Sequence, residues 1–177
     1  MKKRPCIARC FIMTFCLLCS LTRFSAAQGN AQIQFPPKKG GMVTGHATGT
    51  FEVKVIPQIA DEQAQAAGIG RMSLDKQWQG DLTGSSKGEM LSFGTGAKGS
   101  SGGYVALEKF TGSLKGRSGS FVLQHSATMT RGVPQLTIFV VPDSGTGQLA
   151  GITGKMNIAI TDGKHSYDFE YALPESH

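Results

Sequence analysis

One stretch of the sequence, residues 116–132, alternates apolar and polar side chains with a period of two. Its more apolar face carries Phe121, Leu123, His125, Ala127 and Met129. A period of two is that of a β-strand, in which successive side chains point to opposite sides. Glycines at both ends are typical of the turns that bound a strand. The stretch therefore predicts one long strand, with His125 pointing into a core or a lumen.

Seven other segments are also predicted to be strands, most of them by the same period and residues 136–141 by a nearly continuous apolar run: residues 44–56, 71–82, 87–95, 104–110, 136–141, 155–160 and 164–173. After the first of these, Asp61–Ala67 fits either two helical turns or a loop, because so short a helix is marginal. Eight strands without a convincing helix can bury their apolar side chains only against one another.

A short glycine-x-leucine-x-glycine motif occurs three times, at residues 80–84, 112–116 and 147–151. Glycines beside strands mark bends or bulges, and we expect the leucine between them to turn into the core. A repeat at about every second strand indicates a meander of hairpins, and closing a meander removes its exposed edges. The sequence thus predicts an all-β fold: a single closed antiparallel barrel of about eight strands over residues 44–174. A sandwich of two sheets is the alternative.

The first 27 residues have the pattern of a secretory signal peptide. Basic residues at the start precede an apolar run of about a dozen residues, and Ser25-Ala26-Ala27 suits signal-peptidase cleavage. The run is shorter than the roughly 20 residues that span a bilayer. A lipoprotein anchor is disfavoured because Phe15 and Leu18, rather than small residues, precede Cys16 and Cys19. We therefore predict an exported protein, periplasmic or secreted, with a flexible tether over residues 28–43 and no stable membrane anchor.

Removing this leader changes the charge and the cysteine count. Five of the 18 Lys and Arg residues lie in it, so 13 remain beside 12 Asp and Glu residues. A net charge of +1 gives no basic surface of the kind that binds nucleic acid. All four cysteines also precede residue 28, which excludes a disulfide, a cysteine nucleophile and a thiolate metal site from the mature chain.

Two further motifs match known sites only by letter. Gly94–Gly99 has the form of a dinucleotide fingerprint, and Gly84–Gly88 has that of a nucleophile elbow. Both need a helix directly after the motif, whereas strands or loops follow here. The histidines, at positions 46, 125, 165 and 177, are not at ligand spacing for zinc. We therefore expect neither a cofactor nor a metal.

Candidate site residues are ionisable side chains on apolar faces: Glu89, Glu108 and His125. A buried carboxylate must either be paired or have a raised pKa, so these residues form either a structural network or a site. We take all three as candidate catalytic residues and expect Tyr104, Phe121, Leu123 and Phe93 to line a ligand pocket beside them.

Several segments together resemble a known family. They are Ala47–Val55, Gly70–Leu82, Ser86–Leu91, Gly102–Gly132, Val140–Gly154 and Asp162–Leu173. They look like the bacterial proteins grouped as domain of unknown function 3224, whose fold is similar to the allene oxide cyclase and dirigent barrels of the calycin-like kind. The resemblance implies a barrel with a ligand-sized interior and supplies no activity. The secretion leader departs from it, since most relatives are expected to be cytoplasmic.

Three functions stay open at this stage. The barrel binds a small apolar or amphipathic molecule, or it is an isomerase or cyclase acting on an oxygenated lipid or isoprenoid, or it is a scaffold without a site. Self-association into a homo-oligomer is compatible with each of them.

Overall fold

The computed structural model describes residues 41–95 and 97–175. The predicted leader, residues 1–27, and most of the predicted tether, residues 28–43, lie outside this part of the chain. Eight strands follow one another: β1 (Met42–Gln58), β2 (Gly70–Gly80), β3 (Leu82–Gly94), β4 (Gly102–Leu114), β5 (Arg117–Thr130), β6 (Val133–Val140), β7 (Thr153–Thr161) and β8 (Lys164–Pro174). Each strand pairs antiparallel with the next, and β8 pairs with β1. The predicted closed meander barrel is confirmed, and the sandwich does not occur.

The segment between β1 and β2 contains one turn of helix, α1 (Glu62–Ala66). The Asp61 carboxylate caps it by accepting a hydrogen bond of 2.8 Å from the backbone N–H of Ala64. No helix in residues 41–95 and 97–175 has the length and apolar character needed to cross a membrane.

One end of the barrel is sealed by the three repeated corners. Leu82, Leu114 and Leu149 are each fully buried, as the motif predicts. Leu82 and Leu114 lie at the β2–β3 and β4–β5 turns, and Leu149 ends a short 3-10 helix in the β6–β7 connection. The backbone N–H of Leu82 donates a 2.7 Å hydrogen bond to the Tyr167 hydroxyl on β8. We call this the closed end.

Above the closed end lies an aromatic core. Ring centroids are 4.7 Å apart for Phe51 and Trp78, 5.0 Å for Phe110 and Phe121, and 5.7 Å for Phe121 and Phe169. All five side chains are buried. Such rings each bury a large apolar area, so this layer stabilises the fold and leaves no room for a ligand.

The opposite end, which we call the open end, is not sealed. Strand residues that follow the inward alternation there remain accessible: Val55, Met129, Leu136 and Ile160 are all exposed, Ile160 by 64 %. The barrel is therefore a cup with one packed end and one accessible end.

Candidate functional site

Between the aromatic core and the open end, four polar side chains meet inside the barrel. Lys76, Ser86, Glu108 and His125 come from β2, β3, β4 and β5, and all are buried. Lys76 Nζ lies 2.7 Å from Glu108 Oε2, and His125 Nε2 lies 3.1 Å from the same oxygen. Ser86 Oγ donates to Glu108 Oε1 and accepts a 2.8 Å hydrogen bond from Trp78 Nε1. We call Lys76, Ser86, Glu108 and His125 the central cluster.

Strand register brings these residues together. Lys76 lies directly opposite Ser86, and Glu108 lies opposite Gly88. A Cβ atom at position 88 would be 2.9 Å from the Cα of Glu108, a distance that real side chains do not adopt. The glycine therefore leaves space beside Glu108, whose carboxylate reaches the side chains of both neighbouring strands.

The carboxylate of Glu108 is ionised at neutral pH. Burial alone would raise its pKa, but the close approach of His125 Nε2, the charge and hydrogen bond of Lys76 and the hydrogen bond from Ser86 together lower it to about 2. The ammonium of Lys76 also lies 4.7 Å from the ring centre of Phe51 and 5.1 Å from that of Trp78, within range of cation–π attraction. Of the two alternatives open from the sequence, paired or protonated, Glu108 is paired.

His125 is the least satisfied member of the central cluster. Its Nε2 is close to Glu108 but is not aligned as a hydrogen bond, and it has no other partner among the described residues. The imidazole is therefore held in place mainly by packing inside the barrel, where it is 4 % exposed.

A cavity of about 360 Å³ opens above the central cluster at the open end. Its apolar walls include Met72, Phe93, Tyr104, Ala127, Met129 and Leu136, and the remainder is mostly glycine and small polar residues of β3–β6 and the β3–β4 loop. Tyr104 and Ala127 are opposite one another on β4 and β5, and the next inward pair toward the closed end is Ala106 and His125. Tyr104 and Ala127 therefore form the cavity wall nearest to the central cluster.

The phenol of Tyr104 is a hydrogen-bond donor at this wall. Burial raises the pKa of the Tyr104 hydroxyl, and the charge of Glu108 raises it further, so the group stays protonated at neutral pH. The hydroxyl forms no hydrogen bond with another described residue. A cavity whose apolar walls carry a few polar groups has the composition of a small-molecule site.

Two of the three candidate catalytic residues lie together, and the third does not. Glu108 and His125 are inside the barrel on adjacent strands; their chemical role stays a prediction. The inward placement of Glu89 is wrong: its side chain is about half exposed and forms a 3.0 Å ion pair with Arg71 on the outer surface.

The error concerns the whole of β3. The face that carries Glu89, Leu91 and Phe93 is the outer one, although it is apolar, and Phe93 is 66 % exposed. The inward residues are smaller, among them Ser86 and Gly88, because Trp78 and Glu108 from the neighbouring strands fill that part of the interior. Phe93 still borders the cavity, from the rim.

Phe121 and Leu123 require a second correction. Both face inward but are fully buried in the core below the central cluster, and neither lines the cavity. Of the four predicted ligand-binding residues, the structure places Tyr104 and Phe93 at the cavity. The side chain of Met72, opposite Met90 on β3, lines it as well.

Sequence reasoning missed Lys76 and Ser86. The signal for Lys76 was present, since it lies between Leu74 and Trp78 on the inward face of β2. A lysine at a buried position requires a carboxylate partner, and Glu108 on another apolar face was the available one. Among residues 41–95 and 97–175, no three His, Cys, Asp or Glu side chains are grouped in a way that would hold a metal ion.

Comparisons with known proteins give a family and no activity. A family model described as "Protein of unknown function (DUF3224)" matches residues 47–171. A crystal structure of a protein of unknown function from the same family, from Shewanella oneidensis MR-1, shares 46 % identity with this chain and a TM-score of 0.67. The match covers 76 % of this chain and 100 % of that one. No curated protein matches the chain. The chain belongs to the DUF3224 family.

Proposed function

We propose that this protein is an exported barrel that binds a small apolar or amphipathic molecule in the cavity at its open end. The observation that carries the proposal is a cavity of about 360 Å³ with mainly apolar walls. Ligand pockets typically measure roughly 300–1,000 Å³ and combine apolar walls with a few polar groups. The signal-peptide pattern of residues 1–27 supports the exported location.

The accessible apolar side chains at the open end support binding. Met129 and Leu136 are more than a third exposed although they lie on inward faces. Covering apolar surface is favourable by about 25 cal/mol per Å². Methionine side chains such as Met72 and Met129 also adapt to ligands of different shapes, because they are unbranched and polarizable.

The central cluster supports binding more than catalysis. Glu108 is ionised and both of its oxygens accept hydrogen bonds, so it is a poor general acid or base near neutral pH. Its ion pair instead joins β2 to β4 beneath the cavity, which fixes the position of Tyr104, four residues earlier in β4 and on the same inward face as Glu108. We therefore favour a binding protein over an isomerase or cyclase.

Filling the cavity tests the proposal. We expect Ala127→Trp to abolish binding of a dansylated fatty acid, measured by its fluorescence, because the indole would occupy the cavity. Ser126→Trp is the matched control: it places the same side chain on the exposed face of β5, one residue away. Equal binding by both variants and the unaltered protein would contradict the proposal, as would the absence of any binding.

A further inference from the structure

The ladders of the barrel differ in length, and the shortest is between β6 and β7. The only residue pair in their ladder is Phe139 with Lys155. Both strands continue toward the open end, since β6 stays paired with β5 as far as Val133 and β7 stays paired with β8 as far as Thr161. Residues 133–138 and 156–161 therefore face each other along the side of the barrel without ladder pairs. We call the space between them the slot.

The edges and the lining of the slot differ in chemistry. In antiparallel strands, alternate backbone N–H and C=O groups point toward each neighbour, so the facing edges of the slot present unpaired groups that require water. The side chains that follow the inward alternation are apolar: Leu136 on β6, and Ile158 and Ile160 on β7. Ile160 is largely exposed and Leu136 partly so. Water thus reaches the outer edge of the slot, while its inner surface is hydrocarbon.

The slot and the cavity share one border, the open-end part of β6. Pro134, Gln135 and Leu136 of β6 line the cavity and also form one edge of the slot. An extension of the register from Phe139 and Lys155 would place Leu136 opposite Ile158, so the cavity wall ends where the slot begins.

We propose that the ligand is a linear single-chain amphiphile, with its polar end near Tyr104 and the far part of its alkyl chain lying in the slot. This inference depends on the proposed function. A cavity of about 360 Å³ is near the lower end of the range of ligand pockets, roughly 300–1,000 Å³, so a long acyl chain is expected to extend beyond it. The remainder of a long chain would meet water if it left through the open end. In the slot it contacts the apolar side chains of Ile158 and Ile160.

The test links β6 to β7 covalently and compares two fatty acids with acyl chains of different length. The full chain, with its four native cysteines changed to serine, carries Thr137→Cys and Asn157→Cys. Both residues are exposed, and an extended register would place them opposite one another across the slot. A short bismaleimide links them, and mass spectrometry confirms the link. The control links Ala159→Cys to Ser166→Cys, which are paired directly across β7 and β8.

Calorimetric titration with octanoate and with palmitate then separates the outcomes. We expect the slot link to raise the Kd of palmitate by at least about tenfold, because each methylene excluded from an apolar site costs about fourfold. Octanoate, which fits within the cavity, should bind as before, and the control link should change neither Kd. Ile158→Trp, which fills the slot without a link, should act like the slot link, and Asn157→Trp on the exposed face should not.

Unchanged palmitate affinity in both the linked protein and Ile158→Trp would overturn the proposal that the alkyl chain lies in the slot, even if the cavity binds both acids. Equal losses for octanoate and palmitate would also overturn it, because the effect would then not depend on chain length. Failure of the unmodified protein to bind either acid or the dansylated probe would instead overturn the proposed function itself.

Discussion

Lys76 Nζ and Glu108 Oε2 are 2.7 Å apart inside a barrel in which both side chains are almost fully withdrawn from water. A buried ion pair adds little net stability compared with apolar residues, but removing one partner leaves an uncompensated charge. This pair joins side chains from β2 and β4, which are separated by β3, so it depends on the register of both intervening ladders.

Loss of the cation should therefore be costly. We expect Lys76→Met to lower the free energy of unfolding by about 3–5 kcal/mol, because Glu108 would remain buried without its charge partner. Denaturant unfolding followed by circular dichroism measures the change. Lys87→Met is the control: Lys87 pairs with Asp75 on the surface, where an ion pair is worth about 1 kcal/mol or less. Similar losses of unfolding free energy in the two variants would contradict the prediction that burial makes Lys76 costly to remove. The prediction also requires that the double variant Lys76→Met, Glu108→Gln be more stable than Lys76→Met alone.

The same carboxylate predicts a loss of stability in acid. The pKa of Glu108 is lowered from 4.5 to about 2 in the folded state, so the unfolded chain takes up this proton first as the pH falls. The contribution of Glu108 is fully present above pH 4.5 and is lost as the pH falls toward 2.

Comparison with Glu108→Gln isolates that contribution. The stability difference between the two proteins should shrink from pH 5 to pH 2 in thermal or denaturant unfolding. The pKa of Asp81 is also lowered, by the backbone N–H of Thr48, but Asp81 is present in both proteins and cancels in the comparison. A difference that does not change with pH would contradict the ionised, paired state of Glu108.

The corner between β4 and β5 should depend on backbone conformation alone. Gly116 has a φ of +84°, and no heavy atom lies within 4 Å of the position that a Cβ would occupy. Gly116→Val should therefore cost about 1–3 kcal/mol in unfolding free energy, the usual strain of a β-branched residue there. Gly116→Asn should cost less, because asparagine tolerates positive φ, and Thr111→Val on the exposed face of β4 should cost little. Identical melting of the valine and asparagine variants would show that this glycine is incidental.

Export predicts a processed chain. Protein recovered from the periplasm or the medium should begin close to Gln28, because Ser25-Ala26-Ala27 has the small residues that signal peptidase requires. N-terminal sequencing provides the measurement. Recovery of protein that still begins with Met1 would contradict cleavage.

The alternation of side chains was sufficient to predict the barrel, because most of the strands show their inner face in the sequence. It was insufficient for β3, where Leu91 and Phe93 on the outer face are more apolar than Ser86 and Gly88 on the inner one. Interior volume decides that strand, and volume depends on residues of neighbouring strands that are distant in sequence. For the same reason Glu89 was placed wrongly.

The candidate site was only partly predictable. Glu108 and His125 could be found from their own strands, and Lys76 from its position between Leu74 and Trp78. A pocket was expected, but its position at the open end could not be predicted, because it depends on where the packed core stops. The slot depends on where the pairing of β6 with β7 ends, and the alternation of side chains in either strand does not indicate that point.

Each hairpin of the barrel pairs strands that are neighbours in the chain, and only the β1–β8 ladder joins residues from opposite ends of the domain. Local pairs form early and distant pairs late, because closing a long loop costs more entropy. We therefore expect the β1–β8 ladder to form last during folding. The backbone N–H of Glu175 donates a 2.9 Å hydrogen bond to the carbonyl of Gly41, so these two positions are adjacent once folding is complete. A circular permutant joined there and opened at the exposed Lys115–Gly116 turn should retain the architecture while altering the order in which the barrel assembles.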